Sequence, residues 1–231
     1  MTTRLAVLCA GAAQGLVESL RAGFEAEHDA ALVLTFGAVG ALHEALVAGQ
    51  PFDVLIVTDA LARRLHGDDW VHAASLPLGR VRTAVAVRTG DPRPDIVSAD
   101  ALAHALQAAS AIYFPDPERS TAGIHIAAVL EQLGSTTPRR TFANGAAAMG
   151  ALAASSDSAA VGCTQASEIL RTPGLQLVGP LPTPFDLATV YVAAVAKRAL
   201  EPELATRFVD RLNGPAGAEQ RRRSGFEPAL P

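Results

Sequence analysis

The chain has 231 residues, 49% hydrophobic and 18% charged, with a formal net charge of -4. That length allows a well-buried core in one large or two small domains. The charge balance argues against nucleic acid as a partner: the one basic run, Arg221-Arg222-Arg223, reads as a solvated helix face.

The apolar run at 5–9 predicts a strand buried on both faces. It reads better as core than as an expendable secretory signal, so as it stands the chain is expected to be cytoplasmic. A form trimmed to its mature start would look the same and would be periplasmic. Leu16, Leu20 and Phe24 lie at helical spacing and predict a helix over 13–28. A strand at 31–36, a loop at 37–40, a helix through Leu42 and Leu46 closed by Gly49, and a strand at 54–57 follow. Asp59 stands as the expected N-cap of the next helix.

"RVRTAVAVR" (80–88) predicts a strand ending in the turn-rich "TGDPRPD". Next come a helix over 99–108, a strand over 111–114, a helix over 121–133 closed by Gly134, and a short strand at 141–142. An alanine-rich helix after Asn144-Gly145, a strand ending at Cys163, a long strand within "FDLATVYVAAV" and helices over 201–213 and 215–223 complete the chain. This alternation predicts an α/β protein with mainly parallel sheets flanked by helices. Two discontinuous lobes are expected, 1–83 with 190–231 and 84–189, with a ligand cleft between them. No stretch reaches the roughly 18 apolar residues of a membrane helix.

Several chemistries lack their motifs: there is no GxxxxGK[ST], GxSxG, HExxH or strand-linked GxGxxG. No cofactor is implied. The six histidines show no ligand spacing, so no metal site is expected, and Cys9 and Cys163 form no CxxC pair or disulfide framework. What stands out is four small-residue loops, each before a helix: "CAGAAQG", "FGAVGAL", "ERSTAGI" and "ANGAAAM". Helix starts carry unpaired N–H groups and partial positive charge, and small side chains let an anion approach them. Two loops fall in each expected lobe.

Four segments carry a resemblance over nearly the full length: "AVLCAGAAQGLVESL", "FGAVGALHEALVAGQPFDVLIVTD", "DPERSTAGIHIAAVLEQLG" and "LNGPAGAEQRRRSGFEP". They resemble the molybdate-binding component of ABC transporters, within the type II periplasmic binding-protein fold. The middle two match the family patterns "aGxpaDvfisAd" and "DPexxPaGxYaxexLxxlG". The resemblance implies a ligand held between closing lobes by serine hydroxyls and backbone N–H groups, and an ABC permease as partner if the chain is exported. Gly11, Ala13 and Ala38 are site candidates as members of the small-residue loops, and the resemblance aligns Ala12, Val39, Ala122, Gly145 and Gln165 with its ligand contacts, Gln165 standing at the family's tyrosine. Ala12 and Val39 stand where the family has serines. A dehydrated tetrahedral dianion needs nearly every oxygen hydrogen-bonded, so these replacements favour a small organic carboxylate or other oxyanion over molybdate.

Ser120 and Thr121 can cap the helix, line the site, or both. Arg119 can grip a carboxylate bidentately or pair on the surface with Asp116 or Glu118. Asn144 is turn chemistry or a cleft-facing amide, and Thr164 and Gln165 follow a buried strand, where polar groups meet ligands. The alternative function is an isomerase or dehydratase of a small organic acid on the same scaffold. His125, Cys163 and Asp116, with Glu118 beside it, are its proton-transfer candidates.

Overall fold

The computed structural model describes residues 2–229. Its elements in chain order are β1 (Thr3–Ala10), α1 (Gln14–His28), β2 (Ala30–Gly37), α2 (Val39–Val47), β3 (Val54–Thr58), α3 (Asp59–Gly67) and β4 (Leu76–Arg88). Then come α4 (Ala99–Ala108), β5 (Ile112–Pro115), α5 (Thr121–Gln132), β6 (Arg139–Phe142), α6 (Gly145–Ala154), β7 (Val161–Gln165) and α7 (Ala166–Leu170). The last are β8 (Leu175–Pro180), β9 (Ala188–Val195), α8 (Pro202–Asn213) and α9 (Pro215–Arg223). The chain divides into two units, Met1–Arg80 with Val190–Pro231 and Val81–Thr189. It passes from one to the other within β4 and returns within β9. The outermost positions, 1, 230 and 231, lie outside the described residues.

In unit 1, β2, β1 and β3 are parallel and β9 returns antiparallel to β3. Leu16, Leu20 and Phe24 form the buried stripe of α1, and Phe24 meets Phe208 of α8 edge-on at 4.8 Å. Asp53 is a buried staple: its carboxylate accepts from Ala6 N at 2.8 Å and from Leu200 N at 2.7 Å. Gly79 sits at φ +129°, where a Cβ would stand 2.5 Å from the Glu227 carbonyl, so only glycine lets β4 lie against the tail. The basic run is consumed locally. Arg221 reaches the carbonyls of Leu212 and Gly214, while Arg222 and Arg223 pair with Glu219.

In unit 2, β6, β5 and β7 are parallel, and β4 pairs antiparallel with both β7 and β8. Residue alternation along β4 sends Val85 and Val87 into a core with α4 and α5, including Phe114, Ile126 and Cys163. Ala84 and Ala86 face Met149, Leu152 and Ile169 of α6 and α7 on the other side.

The α/β architecture of parallel strands flanked by helices is the one the sequence predicts, with differences in detail. α2 begins at Val39, so the expected 37–40 loop is shorter. Thr58, not Asp59, caps α3: its Oγ1 accepts from Leu61 N at 3.4 Å, and Asp59 instead pairs with Arg63. α7 and β8 were not expected, because five residues are too few for a helical period and β8 is only half-buried.

Candidate functional site

In unit 1, β1 runs through a 3-10 turn, Gly11–Ala13, into α1, and β2 runs through Ala38 into α2. Gly11, Ala12, Ala13 and Ala38 are buried and Val39 is half-buried. Neither helix start receives a side-chain cap. Their first N–H groups are therefore served by backbone or by whatever approaches them.

The helix starts of unit 2 are built differently. Asp116 Oδ1 accepts from the backbone N–H groups of Glu118 and Arg119 at 2.7 and 3.1 Å, shaping the turn that delivers Ser120. Ser120 then caps α5, its Oγ accepting from Gly123 N at 3.3 Å. Ala122 is buried, Thr121 half-buried, and a Cβ on Gly123 would stand 2.1 Å from the Asp116 carbonyl, so glycine lets the helix start against its own turn. Arg119 extends outward, half exposed, with Nη1 3.8 Å from Asp116 Oδ2.

Asn144 caps α6, its Oδ1 accepting from Ala147 N at 2.9 Å. Gly145 follows, and a Cβ there would stand 2.0 Å from Glu168 Oε2 and 2.4 Å from Thr164 Oγ1. The start of α6 is thus packed against the chain's own carboxyl. Thr164 Oγ1 donates to Glu168 Oε2 at 2.6 Å, and both residues are buried. Burial pushes the Glu168 carboxyl above the ordinary carboxylate range, outweighing the bonds from Thr164 and the Gln165 backbone N–H and the charge of Arg171.

Thr164 and Gln165, neighbours on a strand, point to opposite faces. Thr164 joins Glu168 and Gly145 on the α6 side, whereas Gln165 faces the α5 side with Cys163 and, across the ladder, Thr83. Gln165 Nε2 donates to Thr189 Oγ1 at 3.4 Å. Thr83 Oγ1, Gln165 Oε1 and Ser167 Oγ are buried without a hydrogen-bond partner. Thr83, Ser167, Glu168 and Thr189 were not among the residues singled out from sequence. The available signal was a polar residue inside an apolar strand, as in "RVRTAVAVR" and "FDLATVYVAAV".

The proton-transfer candidates are otherwise engaged. His125 Nε2 lies 2.7 Å from the Phe185 carbonyl and donates to it, tying α5 to the 182–185 turn. Cys163 is fully buried among apolar residues, and that burial pushes its thiol up to about 12, the opposite of nucleophile activation. Burial, with Glu18 nearby, likewise raises the Cys9 thiol. Asp116 is held by the turn it builds. Among the described residues no group of three or more His, Cys, Asp or Glu is placed to hold a metal ion, and no helix is long and apolar enough to cross a membrane. A largely apolar groove of about 660 Å³ in unit 2, lined by Val87, Pro92, Ala105 and Val161 among others, includes none of the residues at the starts of α5 and α6.

Comparison with known proteins gives these arrangements a context. An aconitate isomerase from Pseudomonas sp. is 28% identical over 235 residues, covering 98% of this chain and 88% of its own. The periplasmic molybdate-binding protein of Azotobacter vinelandii superposes with a TM-score of 0.77 at 18% identity, covering 98% of this chain and 99% of its own. The sulfate-binding protein of Mycobacterium tuberculosis H37Rv gives 0.78 at 18% identity, covering 99% and 88%. These two structures share the fold. The family described as bacterial extracellular solute-binding protein matches residues 5–227, which takes in all four helix starts, and the chain belongs to that family.

Proposed function

We propose that the solute is a small organic carboxylate rather than a tetrahedral oxyanion such as molybdate, and that the protein works as a binding protein. The observation that carries this reading is the chemistry at the starts of α1 and α2. Both lack side-chain caps, and the nearby side chains of Ala12 and Val39 supply no hydroxyl. Backbone N–H groups beside apolar side chains suit a ligand with an anionic end and an apolar body. They suit poorly a compact dianion that needs a donor on every oxygen. In this reading the location is periplasmic and the partner is an ABC permease. The test is a thermal-shift panel of molybdate, tungstate, sulfate and mono-, di- and tricarboxylates. A carboxylate at about 100 times its dissociation constant adds about 2.7 kcal/mol, raising Tm by roughly 5 to 10 °C in a chain of this size. A comparable shift with molybdate and none with any carboxylate would overturn the reading.

A second reading is favoured by the full-length similarity to an aconitate isomerase. Here the same anion site would hold a tricarboxylate while a proton moves between its carbons. Incubating the protein with cis-aconitate in D2O and following the proton NMR spectrum tests this. Interconversion of the isomers supports turnover; an unchanged spectrum removes it.

A further inference from the structure

Thr83 and Gln165 stand directly opposite each other in the antiparallel β4–β7 ladder, so their side chains share a face. Two residues further along the strands, the same face carries Val85 and Cys163 into the apolar core. The Thr83–Gln165 pair lies at the carboxyl end of β7, and β5 is parallel to β7, so α5 starts beyond that same end. Polar groups at the carboxyl ends of parallel strands are where ligands gather in α/β folds. Thr189 closes the group by accepting from Gln165 Nε2.

The fold gives two polar atoms of this group no partner. The Thr83 backbone is fully paired, its N–H with the Leu187 carbonyl and its carbonyl with Leu181 N. Its hydroxyl is 0% exposed with no partner, and Gln165, 2% exposed, leaves Oε1 unpaired. Valine at 83 would fill the same space without stranding its hydroxyl, and a stranded buried atom costs stability unless something completes it.

The two stranded atoms differ in what they need. A hydroxyl can donate, whereas an amide oxygen only accepts. A bare carboxylate has acceptors alone: it can accept a hydrogen bond from Thr83 Oγ1 but offers no donor to Gln165 Oε1. We propose that Thr83, Gln165 and Thr189 form a specificity subsite for a hydroxycarboxylate, with the ligand O–H donating to Gln165 Oε1 and Thr83 donating to a ligand oxygen. This deepens, and rests on, the carboxylate-binding reading above.

The experiment uses the full chain and two matched pairs of acids, malate with succinate and citrate with tricarballylate, titrated calorimetrically into wild type, Thr83→Val and Gln165→Met. The expected result is that wild type prefers the hydroxylated member of at least one pair by about tenfold or more. Both variants lose that preference while still binding the unhydroxylated acid, and ligand-free Thr83→Val melts no lower than wild type. The subsite is overturned if wild type binds succinate or tricarballylate as well as its hydroxylated counterpart. It is also overturned if the preference survives both substitutions, or if Thr83→Val lowers the melting temperature by several degrees with the preference intact. Those outcomes leave carboxylate binding standing, and wild type that binds none of the four acids overturns the subsite while the wider carboxylate panel above decides the reading beneath it.

Discussion

Gly145→Ala is the sharpest structural perturbation available near the start of α6. Its added methyl would stand 2.0 Å from Glu168 Oε2, 2.3 Å from its carboxyl carbon and 2.4 Å from Thr164 Oγ1. Ordinary contact distance is about 3.5 Å, so atoms must move by more than an ångström. They cannot move freely, because Glu168 is buried and held by Thr164 at 2.6 Å. Overpacking of this kind costs about 1–3 kcal/mol, and a disrupted buried hydrogen bond adds about 1–3. The higher helix propensity of alanine returns at most about 1. The net loss is about 1–5 kcal/mol, a fall in Tm of roughly 2 to 20 °C. Urea denaturation of wild type, Gly145→Ala, Glu168→Ala and the double variant measures it. Removing the carboxyl makes room, so the methyl should cost much less in the Glu168→Ala background. A Gly145→Ala variant within about 0.5 kcal/mol of wild type, or an equal cost in both backgrounds, would refute the packing argument.

Glu168 also sets a pH dependence. Its folded-state pKa is raised, so the folded protein holds this proton more tightly than the unfolded chain. The group's contribution is therefore present at low pH and is lost as pH climbs above the ordinary carboxylate range. Urea melts should show Glu168→Gln gaining on wild type over that climb; a constant difference would contradict the assignment. Asp53→Ala strands the N–H groups of Ala6 and Leu200 and should cost about 2–4 kcal/mol, read in the same assay. Ser120→Ala and Asn144→Ala each remove a helix cap and should cost about 1 kcal/mol. Arg119→Ala, which removes the exposed pair with Asp116, should stay within about 0.5 kcal/mol of wild type.

The parallel strands and long helices were legible because apolar runs such as 5–9 and stripes such as Leu16, Leu20 and Phe24 encode burial in their own spacing. The helix starts were legible for the same local reason: small residues and Ser120 or Asn144 announce themselves in a short window. What those starts face was not. Gly145 reads as turn chemistry until β7 and α7 bring Glu168, 23 positions later, against it. Thr83 is one threonine in an apolar strand until its register places it opposite Gln165, 82 positions away. Cys163 ends an apolar run in sequence, and only the packing of Ile126, Phe114 and Leu181 around it shows why burial holds its thiol protonated.

The central claim is that this family member takes a carboxylate where relatives of the same fold take a tetrahedral oxyanion. Isothermal titration of the purified chain, first with molybdate and then with di- and tricarboxylates under the same buffer and salt, tests it most directly. Saturable heat is expected with at least one carboxylate and none with molybdate at the same concentrations. Saturable binding of molybdate, with no heat from any carboxylate, would contradict it.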